Sequence, residues 1–186
     1  LKFGFGHRLP IIQQTETAEC GTACLAMISC YYGHNLDMPE IRAKRLSSIK
    51  GTTLKQLTLF ADELNLASRA VRLEIEDLSQ LHMPCILHWD MNHFVVLKSA
   101  DTKKIVVHDP EYGVRKLSIN EASKHFSGVA LELSPTPNFE EKKREKSVSL
   151  KTLLGNAIGL KRALFQILSL SVALEILSLA GPLFQQ

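Results

Sequence analysis

Four residues in this chain have the types and the order needed for acyl transfer by a thiol: Gln14, Cys20, His93 and Asp109. Cys20 stands in Gln14-Thr-Glu-Thr-Ala-Glu-Cys20-Gly-Thr-Ala-Cys24, where a polar loop gives way to an apolar helix. The unpaired N–H groups and the macrodipole of a helix start favour a thiolate, the nucleophilic form. The chemistry also needs a base to hold the thiol proton, a group to orient that base, and donors for the oxyanion. His93 lies just before the apolar run Phe94–Ser99, and Asp109 just after Ile105–His108. Asp101-Thr-Lys-Lys104 reads as the turn between these runs, so a hairpin brings positions 93 and 109 to the same end. Asp109 can then accept a hydrogen bond from one nitrogen of His93 while the other faces Cys20; spacing alone leaves the register open. Gln14, six residues before Cys20, can add its side-chain amide to the Cys20 backbone N–H in an oxyanion hole.

Each residue taken alone also has a plainer reading. A buried cysteine at a helix start is usually a small apolar side chain. His88 and His108 lie near His93 and are alternative bases, Asp109-Pro110 is a common turn opener, and Gln14 can simply cap a backbone group. Cys24 and Cys30 share the Cys20 helix and read as core, as does Cys85 in its strand. The conjunction in this order carries the catalytic reading.

The 186 residues are 45% hydrophobic with a net charge of +3, enough for one ordinary domain plus a further segment. The basic excess gathers between Lys142 and Arg162, with no aromatic-interleaved basic stripe, phosphate loop or repeat, so nucleic-acid binding is not expected. The four cysteines include no CxxC pair, which speaks against a structural zinc; no metal ligands or bound cofactor are expected in these residues. A core-rich chain of this size needs no disulfide staples, so a reducing location fits. The first residue is leucine, from which a fragment or trimmed chain is expected, and no secretory signal peptide is visible.

Helices come first. Residues 1–13 read as extended, 20–32 as a helix ended by Gly33, Met38–Leu46 as a second with Asp37 as N-cap, and 53–65 as a third. The period then changes. Ala67–Leu73, Cys85–Trp89, Phe94–Ser99, Ile105–His108, Gly113–Leu117 and Val129–Leu133 read as strands, with a helical turn at Glu76–Leu81 and a short helix Ile119–Phe126 capped by Ser118. The expectation is an α+β domain over 1–133, its N-terminal helices packed on an antiparallel sheet. Residues 134–149 read as a charged linker and 150–162 as a juxtamembrane amphipathic segment. The apolar stretch 163–184 reads as a transmembrane helix, since roughly 20 residues at about 1.5 Å each span a bilayer core. Lys161-Arg162 then place the preceding domain in the cytoplasm. Glu175, an acid in that stretch, points to a partner helix or polar cavity.

Gln14-x5-Cys20-Gly21-x2-Cys24-Leu-Ala-Met27, Tyr32-Gly33, Pro84-Cys-Ile-Leu-His-Trp89-Asp-x-x-His93-Phe-Val-Val-Leu97 and His108-Asp109-Pro110 together resemble the N-terminal cysteine-peptidase domain of bacteriocin-exporting ABC transporters, those of colicin V and microcin secretion above all. The resemblance implies a papain-like fold and an endopeptidase that cuts the leader of a precursor peptide after a double-glycine-type pair. It implies Cys20 as nucleophile, His93 as general base, Asp109 as its orienter and Gln14 as oxyanion donor. It further implies a parent exporter with membrane and ATPase domains, using ATP and magnesium, working as a homodimer in the bacterial inner membrane with the peptidase on the cytoplasmic side. Calcium dependence goes with the colicin V subgroup, though no calcium loop occurs in this sequence. Related domains that lack the nucleophile only bind their secretion substrate, so a non-catalytic docking module is the rival reading; Cys20 speaks against it. A different papain-like thiol enzyme, such as an acyltransferase, would not need a membrane tether.

Overall fold

The structure is a computed structural model and describes residues 8–36, 38–43, 52–142 and 160–180. The chain divides into two units, Leu1–Arg144 and Glu145–Gln186.

In the first unit, a 3-10 turn Thr17–Glu19 leads directly into helix α1, Cys20–Tyr31. Small and apolar residues lie all round α1, and every residue from Cys20 to Ser29 is buried, as expected of a helix with core on all sides. Gly33, at φ +97°, ends it in a conformation that costs glycine nothing. Helix α2, Met38–Ala43, buries Met38 and Ile41; the expected cap Asp37 and residues 44–46 lie outside the described residues. Helix α3, Leu54–Glu63, opens with a reciprocal cap: Gln56 N donates to Thr53 Oγ1, and Thr53 N to Gln56 Oε1. Its Leu57 approaches α1 so closely that a Cβ at Gly21 would lie 3.1 Å from Leu57 Cδ2 and 3.2 Å from Thr52 Cβ. The residue after Cys20 is therefore small because α3 passes over it.

The strands are β1 Leu66–Arg72, β2 Cys85–Trp89, β3 His93–Ala100, β4 Lys104–Asp109, β5 Gly113–Ser118 and β6 Phe126–Pro135. They form one antiparallel sheet in the order β1-β6-β2-β3-β4-β5. On one face, α1–α3 pack against Ile86, Phe94, Val96, Leu131 and Leu133. On the other, the 3-10 segment Ile75–Gln80 and helix α4, Ile119–Ala122, cover Leu87, Trp89, Val95, Leu97 and Val107. Central strands buried on both faces explain why Cys85–Trp89 and Phe94–Leu97 read as continuous apolar runs, while the edge strand β5 alternates.

At two places the structure departs from the sequence reading by more than a residue or two. The helix expected over Ile119–Phe126 stops at Ala122, because Phe126 is already paired with Trp89 in the sheet. The segment expected to begin a charged linker instead straps the domain. Thr136 N donates to Asn65 O at 3.0 Å, Phe139 packs against Tyr32, and Asn35 N donates to Lys142 O at 2.9 Å. Residues 143–149, like 150–159 of the expected amphipathic segment, lie outside the described residues.

In the second unit, helix α5 spans Leu160–Ala180. The transmembrane reading of 163–184 finds no support here: among the described residues, no helix is long and apolar enough to cross a membrane. Gln166, Glu175 and three serines interrupt the apolar sequence, and 181–184 lie outside the described residues.

If the strap is part of the folded domain, Phe139→Ala will lower its stability by about 1.5 kcal/mol, the worth of a partly buried aromatic side chain. Urea unfolding of the two chains measures this; an unchanged midpoint would mean that 136–142 is a free tether.

Candidate active site

The site is built where β3 begins, β4 ends and α1 begins. His93 is the first residue of β3 and Asp109 the last of β4. Val96 pairs with His108, which sets Val95 opposite Asp109 and His93 two residues further along the same face. The register shifts between Leu97 and Ser99. Had the pairing Ser99–Val106 and Ala100–Ile105 run straight through, Asp109 would oppose Val96 and face away from His93. The bulge thus selects the register that makes the pair. His93 Nε2 lies 2.9 Å from Asp109 Oδ1, which leaves Nδ1 to face Cys20, near enough to act on the ring's charge.

Cys20 reaches this point because α1 lies against β3: Cys24 Sγ donates to the Phe94 carbonyl at 3.3 Å. The loop before it is pinned at both ends. Gln14 N donates to Pro110 O at 3.0 Å, next to Asp109. Glu19, 2% exposed, accepts from Thr15 N and Glu16 N and pairs with Arg42, whose Nη2 lies 2.9 Å from Oε2. The Arg42 hydrogen bond outweighs burial and holds the Glu19 carboxyl down at about 2. The Gln14 side-chain Oε1 is buried with no hydrogen-bond partner.

The electrostatics favour an ion pair. Burial works against a charge on His93, but the hydrogen bond to Asp109, the Asp109 charge and the nearby Cys20 raise its pKa to about 9. Burial likewise opposes a charge on Asp109, and the bonds from His93 Nε2, Glu111 N and Tyr112 N overcome it, so its carboxyl stays below the usual range. Cys24 and Cys85 are different. Burial first, and neighbouring negative charge after it, pushes Cys24 well up and Cys85 to about 12, so both remain thiols. Cys30 Sγ is spent on Leu36 O.

The other histidines are engaged elsewhere. His108 Nδ1–H donates to Pro10 O at 2.9 Å and ties the N-terminal segment to β4. His88 Nδ1 lies 2.7 Å from Ser127 Oγ, whose own proton goes to His88 O. His88 does line the cleft that opens beside Cys20, a cavity of about 430 Å³ that also touches Thr17, Thr53, Leu54, Met91 and Phe94. Among the described residues, no group of three or more His, Cys, Asp or Glu side chains could hold a metal ion.

Sequence reading missed three features of the site. The Glu19–Arg42 pair joins distant elements, and only the acid beside Cys20 hinted at it. Met91, 77% exposed, forms a lip of the cleft on a tight turn in which Asp90 and Met91 both have positive φ, at 45° and 63°. That turn lacks the usual Asn-Gly signal. Arg115 reaches Asp109 from β5, and its position two residues beyond Gly113 was the available clue.

The peptidase C39 family model matches residues 8–138. The chain belongs to the peptidase C39 family. It is a cysteine peptidase domain of the kind carried by processing ABC transporters. The colicin V secretion/processing ATP-binding protein of Escherichia coli is 45% identical over 180 residues, covering 97% of this chain and 26% of that protein. The probable microcin-H47 secretion/processing ATP-binding protein of Escherichia coli is 44% identical over the same length, with the same shares. This C39 chain thus spans about a quarter of the length of these curated relatives. Among solved structures, a double-glycine-motif protease from an AMS/PCAT transporter in complex with its leader peptide superposes with a TM-score of 0.65 at 34% identity, covering 73% of this chain and 97% of that one. The peptidase domain of Streptococcus ComA, at 23% identity and a TM-score of 0.63, covers 69% of this chain and all of its own, and shares the fold.

The His93 ring should titrate with a midpoint of about 9, read by NMR. Asp109→Asn removes the acceptor and its charge, so the midpoint falls. Because the folded pKa is raised, the stability this pair supplies is complete below the ordinary histidine range and is lost as pH rises through about 9. An ordinary imidazole midpoint in the native chain would contradict the ion pair.

Proposed function

We propose that this C39 domain cuts the leader from a precursor peptide after a double-glycine-type pair and that its parent protein exports the released cargo. The observation that carries the reading is Cys20 at the wall of an open cleft, beside a His93 that is held by Asp109. The double-glycine specificity is supported by the solved leader complex of the similar transporter protease.

In this reading the Cys20 sulfur attacks the carbonyl carbon of the last leader residue, and the carbonyl π pair moves onto oxygen. The Cys20 N–H and the Gln14 amide stabilise that oxyanion. Gln14 suits the task because its side chain holds a buried polar atom without a protein partner. The amide's oxygen and nitrogen are told apart only by their partners, so a half-turn presents the NH2 instead. As the oxyanion collapses, the C–N bond breaks and the His93 imidazolium passes its proton to the leaving nitrogen, freeing the cargo. Water then attacks the thioester, His93 takes its proton, the C–S bond breaks, and the leader leaves as a carboxylate. Asp109 keeps the ring oriented throughout.

The parent protein, in this reading, is an ATP- and magnesium-using exporter of the bacterial inner membrane, working as a homodimer with the peptidase on the cytoplasmic side. The names of the relatives support the transport role. So does helix α5, whose apolar side chains, Phe165 at 71% and Leu177 at 73% exposed among them, need a cover of lipid or partner helices.

A synthetic peptide with a double-glycine leader, incubated with the chain under reducing conditions and analysed by mass spectrometry, tests the proposal. Cleavage is expected after the glycine pair, absent in Cys20→Ala, and slowed about 100-fold in kcat by Gln14→Ala with little change in KM. Peptide that binds but stays intact, with calcium also tried, would turn the reading to a docking module.

A further inference from the structure

We propose that Arg115 is a positioning residue for this reaction, holding the Asp109 carboxylate so that Oδ1 stays turned toward His93. The inference rests on the thiol-peptidase reading above and extends its chain of residues by one.

The two oxygens of Asp109 are used unequally. Oδ1 accepts from His93 Nε2 at 2.9 Å, Glu111 N at 2.9 Å and Tyr112 N at 3.4 Å. Oδ2 faces Arg115 Nη1 at 3.5 Å. A carboxylate gripped at one oxygen can still pivot about its Cβ–Cγ bond, and each pivot swings the accepting lone pair away from the imidazole. A cation at the other oxygen opposes that pivot. It also supplies charge to a carboxylate whose side chain is 1% exposed, where an unpaired anion is costly. At 3.5 Å the Arg115 contact is a charge contact more than a short hydrogen bond, so its role is to hold and orient.

Topology makes the contact deliberate. Asp109 pairs with Gly113 across β4 and β5, which puts Arg115 two residues along on the same face. His93, Asp109 and Arg115 thus form a diagonal row across β3, β4 and β5. Arg115 is itself fixed: its guanidinium lies over the Tyr112 ring, 5.6 Å from the centroid. Tyr112 also gives its N–H to Oδ1, so one turn steers both oxygens. Among the described residues, the charged and titratable groups facing His93 or its partner Asp109 are then Cys20 and Cys24 on α1, Arg115 on β5, and Glu111 and Tyr112 in the turn.

The whole chain with Arg115→Met, Arg115→Lys and Tyr112→Leu tests this by leader-cleavage kinetics and by NMR titration of the His93 ring. Arg115→Met is expected to lower kcat about tenfold with KM within about twofold, and Arg115→Lys to recover most of the loss. Removing the cation leaves Asp109 as an uncompensated anion beside His93, so the His93 midpoint rises in Arg115→Met and stays near native in Arg115→Lys. Tyr112 is 68% exposed, so Tyr112→Leu tests the same contact in a folded chain, with smaller changes in the same directions, if Arg115→Met does not fold. A folded Arg115→Met, or failing that Tyr112→Leu, with native kcat and native His93 midpoint would overturn the proposal, even if its melting temperature fell. Since the titration needs no substrate, a shifted midpoint in a chain that cuts no leader would sink the proposed function and leave the role of Arg115 standing.

Discussion

A buried negative charge at Asp109 is the constraint around which the rest of this structure is arranged. With its side chain 1% exposed, the carboxylate exists as an anion only because donors converge on it: the His93 ring, two amides of the following turn, and Arg115. The same turn passes the Pro110 carbonyl to Gln14 N, so the segment before Cys20 is anchored to the segment that carries the acid. One buried charge therefore couples strand register, turn and the loop before Cys20. Its field helps keep a mostly buried imidazole protonated against the pull of burial.

Helix α1 supplies the second requirement, a firmly packed seat for the Cys20 thiol. It is buried along nearly its whole length, between α3 on one side and the sheet on the other. Gly21 permits the close approach of α3, and Cys24 ties the helix to β3 one turn below the Cys20 sulfur. The sequence neighbours of Cys20 are thus spent on packing, which leaves Cys20 as the thiol at the cleft. Glu19 and Arg42 complete the arrangement by closing the loop into the helix through a charged bond between distant segments. The cleft itself is assembled from the starts of α1 and α3, the β2–β3 turn and β6, so its shape depends on every layer at once.

Much of this was legible in the chain. Helix periods placed α1 and α3 to within a residue or two, the Thr53 and Ser118 caps were visible, and the order Gln14, Cys20, His93, Asp109 announced a thiol hydrolase. These are local properties: periodicity, capping and residue chemistry act over a few positions, and the chain states them directly. The ends of elements were less legible. Sheet pairing at Phe126 cut short a helix that its own sequence would have continued, and contacts at Asn35 and Tyr32 gathered a polar tail into the domain.

By itself the sequence determined which residues could do chemistry, and which class of chemistry. What only the tertiary structure decided was the register that joins His93 to Asp109, which oxygen and which neighbours. His88, His93 and His108 are chemically equal in the sequence. A one-residue bulge in β3, invisible to any pattern of hydrophobicity, turns His93 to the face of Asp109 and leaves the others to Ser127 and Pro10. Arg115 and Arg42 likewise acquire their partners only when strands and helices far apart in the chain are brought together. The physical reason is that strand register alternates with a period of two: one inserted residue reverses which side chains meet, and that choice is made by packing across the whole sheet.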